Sequence, residues 1–329
     1  GNLELGDVLT FPKKYVELDN GLDIFNIVKP YLNEKQLDDL VEFNNKFKIQ
    51  SRFNTNTYFI PKKITITSSL MKLFGLYLAE GCVSASAMDS VIFSFNKNEH
   101  YLLDFVEAEM KNVFGLEKYD MNTDSRGEDY NGKSIKFYST IVANLFYALF
   151  GSGARNKKIP HVLLNQSEKL IKEFLLGEFL GDGSKEKHQL QFSTTSTNIA
   201  YGVRLMLAKL GILSSVRTSR VEYKITISGV SKEKFLKMFN MPYPDLDRKH
   251  AVERCDQNDS YLLLPVKKIE KKFYKGKLVD IQVDNTNNFV AENVIVHNSW
   301  MEAMAAKVPI LMPANTMLPE FINDEVGYL

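Results

Sequence analysis

Two stretches of this chain are near-copies of each other. Residues 73–81 read LFGLYLAEG, and residues 175–183 read LLGEFLGDG. Each stretch is apolar at helical spacing and ends in a carboxylate followed by glycine. Each also carries small residues four positions apart, a spacing that lets two helix backbones approach closely. These small residues are Gly75 and Ala79, then Gly177 and Gly181. The repeat therefore predicts two helices that pack directly against each other.

The acid at the end of each helix, Glu80 or Asp182, is in an unfavourable position. The C-terminus of a helix carries partial negative charge, which disfavours a carboxylate by roughly 0.3–1 kcal/mol. Two such acids that are brought together by helix pairing also repel each other unless a cation lies between them. Because carboxylate oxygens suit hard divalent cations, the pattern predicts a site for a divalent metal. Its predicted members are Glu80, Asp182 and the glycines that follow them, Gly81 and Gly183.

This pair of motifs resembles that of the two-motif LAGLIDADG homing endonucleases that occur inside inteins. The resemblance runs from about residue 61 to residue 257 and includes flanking blocks, among them VIFSFN at 91–96, KKIP at 157–160 and QFSTT at 191–195. It implies an α+β fold of two pseudo-symmetric repeats, each a helix with a saddle-shaped β-sheet, at residues 61–155 and 156–257. It also implies Mg²⁺-dependent cleavage of both strands of double-stranded DNA. The alternative from the residues alone is two ordinary core helices.

A local surplus of positive charge follows the second motif. Between residues 185 and 237 there are ten Lys and Arg against three acids, although the net charge of the whole chain is only +1. Such a surplus favours binding to phosphates, and the alternative is a solvated basic face. The expected contacts to the DNA backbone are Lys185, Lys187, Arg217, Arg220 and Lys224.

The basic block ahead of the second motif supplies two further candidates, Lys157 and Lys158. Because the block resembles the family's K-x-I-P element, we expect one of these lysines to neutralise charge at the scissile phosphate. Lys249 is the expected counterpart in the second repeat. The alternative is that the two lysines only keep a turn in solvent.

A second resemblance covers residues 278–299, which read as strands and a turn followed by His-Asn-Ser. It is similar to the C-terminal splicing half of an intein, an all-β domain of the Hint type. The resemblance implies that Asn298 cyclises and breaks its bond to Ser299, whose hydroxyl receives the acyl group. His297 would protonate or polarise the Asn298 carbonyl, and Asp280 would assist proton transfer.

The remaining segments complete the predicted organisation. Residues 5–12 resemble the strand that closes an N-terminal splicing half, and the rest of that half is expected upstream because residue 1 is Gly1. A helix is predicted over 34–47. The last 31 residues resemble the donor-site region of GT-B glycosyltransferases. The predicted segments are 1–15 (end of the N-terminal splicing half), 16–60 (linker, or accessory DNA contact), 61–257 (endonuclease), 258–298 (C-terminal splicing half) and 299–329 (host-protein flank).

The composition of the chain indicates the cellular compartment in which the protein works. Two cysteines, Cys82 and Cys255, give no disulfide framework and favour a reducing, cytoplasmic compartment. The longest apolar run, 141–150, is too short to span a membrane. We therefore expect a monomer whose partners are DNA at a host-gene site that lacks the intein and the missing N-terminal splicing half.

Three function classes remain open from the sequence. The first is a self-splicing intein with an active endonuclease. The second is a splicing element or DNA-binding relic whose endonuclease is inactive, and the third is an interrupted glycosyltransferase. Retention of both acids, Glu80 and Asp182, favours the first class.

Overall fold

A computed structural model describes residues 3–50, 58–84, 87–120, 131–242, 256–271, 273, 275, 283, 288–291 and 294–297. The chain divides into two compact units. The larger is Lys13–Glu253, and the smaller combines Gly1–Pro12 with Arg254–Leu329. Helices and strands alternate in the larger unit, which confirms the predicted α+β class. Within the described residues, no helix is both long and apolar enough to cross a membrane.

The larger unit begins with a small layer of short elements. Its helices are α1 (Ile24–Val28) and α2 (Glu34–Asp38). Its strands are β2 (Gly21–Asp23), β3 (Leu40–Phe43), β4 (Lys46–Ile49), β5 (Ile60–Pro61) and β6 (Lys63–Thr65). Strands β2 and β6 pair with each other, and β3, β4 and β5 form a second small sheet.

The predicted helix over 34–47 is wrong beyond its first turns. Asn33 caps the start of α2 through a capping box with Gln36, as the sequence indicates. The helix nevertheless ends at Asp38, and β3 and β4 form a hairpin instead. Both turn residues have positive φ, 44° at Asn44 and 61° at Asn45. Since two-residue hairpin turns of type I′ need positive φ at both positions, the Asn-Asn pair favours the hairpin over a longer helix.

The interpretation of residues 16–60 as a linker is also wrong. Ile24, Val28, Phe47 and Ile60 are all at most 1% exposed and belong to the hydrophobic core of the larger unit. A linker has no reason to bury so many apolar side chains. The segment is therefore a folded part of the larger unit, and its other interpretation, an accessory DNA contact, stays a prediction.

The first repeat follows this layer. Its helices are α3 (Ser68–Glu80), α4 (His100–Phe114) and α5 (Thr140–Phe150). Its strands are β7 (Gly81–Val83), β8 (Ser90–Asn96), β9 (Tyr119–Asp120) and β10 (Gly132–Tyr138). The strands form one antiparallel sheet in the order β7-β8-β10-β9.

The second repeat has the same succession of elements after one extra turn of helix, α6 (His161–Leu164). Its helices are α7 (Glu168–Asp182), α8 (Thr197–Lys209) and α9 (Gly229–Met238). Its strands are β11 (Gly183–Lys185), β12 (Gln189–Thr194), β13 (Ser215–Thr218) and β14 (Tyr223–Ser228). The sheet order, β11-β12-β14-β13, matches that of the first repeat strand for strand. The two halves are therefore repeats in topology as well as in sequence.

The smaller unit is all-β in its described part. Strand β1 (Val8–Pro12) pairs antiparallel with β16 (Tyr261–Pro265), which also pairs with β15 (Asp256–Gln257). Strands β17 (Asn288–Ala291) and β18 (Val294–His297) form a hairpin. Two strands of the pattern predicted within residues 278–299 are confirmed, at β17 and β18. The pairing of β1 with β16 joins chain segments that precede and follow the larger unit in sequence.

Several predicted features lie outside the described residues. They are Lys249, the strand over 278–283, and the segment 299–329. The splicing residues Asp280, Asn298 and Ser299 also lie outside, and for His297 only the backbone, in β18, is described.

Candidate active site at the paired helix ends

Helices α3 and α7 pack backbone to backbone, as their small residues predict. A β-carbon at Gly75 would lie 2.1 Å from the carbonyl oxygen of Phe174, and one at Gly177 would lie 2.1 Å from that of Lys72. A β-carbon at Gly181 would lie 2.4 Å from that of Ala79. Because real β-carbons do not come so close to other atoms, these positions admit only glycine. The predicted contact between the two motifs is confirmed.

This contact brings the two acids to neighbouring helix ends. Glu80 is the last residue of α3, and Asp182 is the last residue of α7. A β-carbon at Gly181, next to Asp182, would lie 3.0 Å from Cγ and 3.6 Å from Oε1 of Glu80. The carboxyl of one motif therefore borders the last turn of the other, which is the arrangement that two shared metal ligands need.

The glycines after the acids act differently from ordinary C-terminal caps. Gly81 and Gly183 both have extended backbones, with φ of −99° and −83°, so neither uses the left-handed region. Their need for glycine is steric. A β-carbon would lie 2.2 Å from the Tyr77 ring at Gly81, and 2.3 Å from the Phe179 ring at Gly183. An aromatic residue four positions before the glycine is the sequence signal for this packing, and helix-cap reasoning misses it.

Burial raises the pKa of Glu80 to about 7. The negative charges of Asp182 and Glu99 add to this rise, and Lys157 opposes it. Burial also raises the pKa of Asp182 to about 6, although much of that residue's surface is exposed, and Lys157 again opposes the rise. Both acids therefore gain their charge close to neutral pH, and a bound cation would favour the charged form.

The chemistry of this donor set fits Mg²⁺. Among the described residues, no group of three or more His, Cys, Asp or Glu side chains could hold a metal by itself. Mg²⁺ commonly uses only one or two carboxylates and completes its shell with water and substrate phosphates. Glu80 and Asp182 match that requirement. The Gly81 carbonyl is a poorer ligand than predicted because it already accepts a hydrogen bond from the Lys157 ammonium at 2.7 Å; the role of Gly183 stays a prediction.

The structure separates the two lysines of the basic block. Lys157 is only 7% exposed, and its Nζ donates to the carbonyls of Tyr77, Leu78 and Gly81 at 3.0, 2.8 and 2.7 Å. Lys158 is exposed, and its backbone N–H donates to the Phe150 carbonyl. Lys157 thus lies at the end of α3 beside Glu80, whereas Lys158 points its charge to solvent.

Glu178 is a residue at this site that sequence reasoning missed. It is 1% exposed, and its Oε2 atom is buried without a hydrogen-bond partner. Burial and the nearby charge of Asp182 hold the pKa of its carboxyl well above the ordinary value, and Lys157 opposes them. The first motif has Leu76 at the equivalent position. This mismatch within two otherwise similar motifs is the signal that could have identified Glu178.

The predicted phosphate contacts occupy two regions of the second repeat. In the sheet register Arg217 pairs with Lys224, and Lys224 pairs with Ser193, so their side chains share one face. The other face carries buried apolar residues such as Phe192 and Ile225 and packs on the core. Arg217 and Lys224 therefore lie on the open face. Lys185, Lys187 and Arg220 are exposed at strand ends and turns of the sheet. Lys185 pairs with Leu190 in the register, so it does not share the face of Arg217 and Lys224.

Comparison with known proteins identifies part of this architecture. Residues 169–240 match the family model of the LAGLIDADG-like domain. This range holds most of α7, including Asp182, and the whole sheet of the second repeat. The predicted family is thus supported for the second repeat. The match does not extend to residues 278–329, so the splicing half and the glycosyltransferase flank stay predictions.

The curated relatives are longer proteins with unrelated names. The chain is 28% identical over 257 residues to the ATP-dependent DNA helicase Hel308 of Thermococcus kodakarensis, covering 73% of this chain and 22% of the helicase. It is 26% identical over 357 residues to the uncharacterized protein MJ1054 of Methanocaldococcus jannaschii, covering 92% of this chain and 38% of that protein. It is 23% identical over 281 residues to a DNA polymerase of Thermococcus hydrothermalis, covering 72% and 16%. The chain therefore spans less than two fifths of each of these relatives.

Similar solved structures include two kinds of protein. One is the homing endonuclease I-DmoI in complex with DNA and Mn, with 12% identity, a TM-score of 0.42, and coverage of 55% of this chain and 100% of that chain. Another is full-length DUF199/WhiA from Thermatoga maritima, with 15% identity, a TM-score of 0.40, and coverage of 53% and 56%. Scores of this size do not by themselves establish a shared fold.

Replacing the half-buried acid should stabilise the metal-free protein at high pH. A carboxyl whose pKa is raised to about 7 in the folded state carries a cost that is absent below its unfolded pKa and complete above the folded one. Glu80→Gln should therefore have a higher unfolding temperature than the parent at pH 8, with the difference shrinking toward pH 4.5. Asp182→Asn should show a smaller effect because Asp182 is more exposed.

Thermal unfolding with a chelator present, at several pH values, measures this difference. Asp104→Asn changes an exposed acid on α4 and serves as the matched control. An unfolding temperature of Glu80→Gln that is not above the parent's at pH 8 would contradict the burial of the Glu80 carboxyl.

Proposed function

We propose that this chain contains a divalent-metal-dependent endonuclease of the LAGLIDADG type that cuts both strands of a specific DNA site as a monomer. The observation that carries the proposal is the position of Glu80 and Asp182, on neighbouring ends of two packed helices. The family match over 169–240 supports the second repeat. The identical strand order of the two sheets supports extending the assignment to the first repeat.

Glu80 and Asp182 would hold Mg²⁺ between the two motifs. The bound ion would activate water as the nucleophile and stabilise the leaving oxygen of the phosphodiester. The chain's own contribution is to fix two carboxylates at the end of a rigid helix pair. Their raised pKa values disfavour the charged carboxylates in the metal-free protein, and a nearby cation would favour the ionised form that binds it.

The open face of the second sheet is the proposed surface for one DNA half-site. It presents Arg217 and Lys224 together with short polar side chains such as Ser193 and Gln191. Arginine and lysine supply the phosphate contacts, and short polar groups can hydrogen-bond to base edges. In the first sheet, by the same register argument, Lys136 and the hydrogen-bonded Ser94 and Ser134 share the open face. The open face of the second sheet is therefore more basic than that of the first sheet.

Cleavage of DNA with Mg²⁺ tests the proposed activity. A pool of duplexes with a randomised central region, incubated with the full chain, should yield a family of double-strand breaks that share one sequence. Asp182→Asn should lower the rate by roughly 100-fold or more, because it removes a ligand of the metal that performs the chemistry. Asp104→Asn should cut at the parental rate. If Asp182→Asn cuts as fast as the parent, the site assignment is wrong.

Salt dependence of binding tests the proposed DNA surface. In an Asp182→Asn background, which prevents cleavage, replacing Arg217 and Lys224 by alanine should weaken binding. The slope of log affinity against log salt should fall by about 2, since each phosphate contact contributes about 0.9. The matched control replaces the exposed lysines Lys111 and Lys169 by alanine, which should leave the slope unchanged. An unchanged slope in the first double variant would move the DNA surface elsewhere.

We propose as a second activity that the smaller unit is part of a protein-splicing domain. One observation that favours it is the pairing of β1 with β16, which closes a β-structure from segments on both sides of the larger unit. Another is that relatives named as a helicase, a DNA polymerase and an iron-sulfur cluster assembly protein share similarity to this chain over a minority of their length. An element inserted into unrelated host proteins would give that pattern.

Splicing would also need an N-terminal splicing half. Supplied with that half, the chain should first transfer the upstream segment to the Ser299 hydroxyl. Asn298 cyclisation should then break the Asn298–Ser299 bond and release the joined flanking segments. Asn298→Ala should block release, because alanine has no side-chain amide to attack the carbonyl. Mass spectrometry of the products measures this outcome, with Asn293→Ala as the control. Ligated flanks from Asn298→Ala at the parental yield would rule out this mechanism.

A further inference from the structure

The end of helix α3 poses a problem of charge and hydrogen bonding. The last four carbonyls of any helix lack partners within the helix, and they give its C-terminus a partial negative charge. In α3 a carboxylate, Glu80, is added at the same place. Two of these carbonyls belong to the buried residues Tyr77 and Leu78, where water has little access. Some positive group has to offset this concentration of negative charge.

Lys157 supplies that group. Its ammonium donates to the carbonyls of Tyr77, Leu78 and Gly81, at distances between 2.7 and 3.0 Å. A lysine ammonium has three N–H donors, so these bonds use all of them. The same ammonium lies 5.0 Å from the centre of the Tyr77 ring. No donor is left over for a phosphate while this geometry holds.

The backbone around Lys157 is fixed from both repeats. The hydroxyl of Ser196, at the start of α8, donates to the Lys157 carbonyl at 2.6 Å. The Lys157 N–H donates to the Gly153 carbonyl, in the loop after α5, at 3.1 Å. Two residues later, the N–H of Ile159 donates to Oδ1 of Asn198 at 2.9 Å. Because its backbone is held by these hydrogen bonds, Lys157 is suited to keep the neighbouring structure in place and poorly suited to follow a moving substrate.

We propose that Lys157 is a positioning residue, which fixes the last turn of α3 and thereby the Glu80 carboxylate for metal binding, and that it does not contact the scissile phosphate. This inference rests on the proposed function of Glu80 as a metal ligand. It replaces the sequence expectation for Lys157 and leaves the exposed Lys158 as the residue of the block that is free to approach DNA.

The proposal is tested by whether Lys157→Met weakens or tightens the binding of a divalent cation to the DNA-free protein. Lys157→Met removes a positive charge from beside two carboxylates, and by Coulomb's law alone this would tighten the binding of a divalent cation. Loss of positioning has the opposite effect, and removal of a group that orients a ligand typically weakens metal binding by about 10-fold or more. We expect Mn²⁺ binding by the full chain, measured by electron paramagnetic resonance without DNA, to weaken about 10-fold.

The matched control is Lys169→Met, on the same helix pair but at the start of α7, roughly 20 Å from Asp182 at 1.5 Å per residue. Its side chain is exposed, and its Mn²⁺ affinity should equal that of the parent. Unchanged or tighter binding by a folded Lys157→Met would overturn the positioning role.

A second measurement uses the unmodified protein and so does not depend on whether the variant folds. In ¹⁵N–¹H spectra of the lysine ammonium groups, Lys157 should give a signal protected from exchange with water, and that signal should persist when duplex DNA is added. Exchange as fast as that of Lys169, or loss of the protected signal on binding DNA, would contradict the proposal.

The two measurements also separate this inference from the proposed function. Mn²⁺ binding that depends on Lys157, together with no DNA cleavage, would refute the nuclease and keep the positioning role. If the parent binds no Mn²⁺ at all, the metal site is wrong, and the protected ammonium signal alone decides whether Lys157 fixes the end of α3.

Discussion

The direct contact between the backbones of α3 and α7 is the constraint on which the rest of the larger unit depends. At Gly75 and Gly177 a β-carbon would lie 2.1 Å from a carbonyl oxygen of the facing helix, so even one methyl group would force the helices apart. Since each helix leads straight into the first strand of its sheet, the contact also sets where both sheets begin. Any change that moves the two helices also moves Glu80 and Asp182, because these acids are their last residues. The same few glycines therefore determine both the packing of the unit and the geometry of its candidate site.

That geometry carries an electrostatic cost. Packing the helix ends against each other removes water from Glu80, and this burial is the main cause that raises the pKa of its carboxyl. The Lys157 ammonium opposes this shift, and the Asp182 carboxylate reinforces it. The resulting pKa near 7 lies close to the physiological range, where a divalent cation can displace the proton. The charge state of the candidate site thus depends on a balance. The packing that buries Glu80 raises its pKa, and the Lys157 ammonium lowers it.

The sequence predicts the features that follow from local chemistry. The spacing of small residues predicts the helix contact, and the pattern of strands and turn in residues 278–299 predicts the strand β18. It fails where a distant partner decides the outcome. The hairpin at Asn44 and Asn45 competes with a plausible helix, and burial of Phe47 in the core adds to the local turn preference in favour of the hairpin. The carbonyls that Lys157 binds lie about 80 residues earlier in the chain, so a motif can nominate this lysine but cannot reveal what it contacts.

The hydrogen bonds of Lys157 also help to explain why both repeats belong to one chain. The lysine precedes the second motif in sequence, yet it stabilises the end of the first motif's helix, and its own carbonyl is held by Ser196 of the second repeat. The first acid is therefore positioned by residues of the other half. The halves also differ where they face each other, with Leu76 in one and the buried Glu178 in the other. Two identical repeats would place either two buried carboxyls or none at this level of the helix pair. This chain places one, that of Glu178, near Lys157. Such an arrangement requires two different halves, and covalent linkage in one chain ensures that they always meet as a pair.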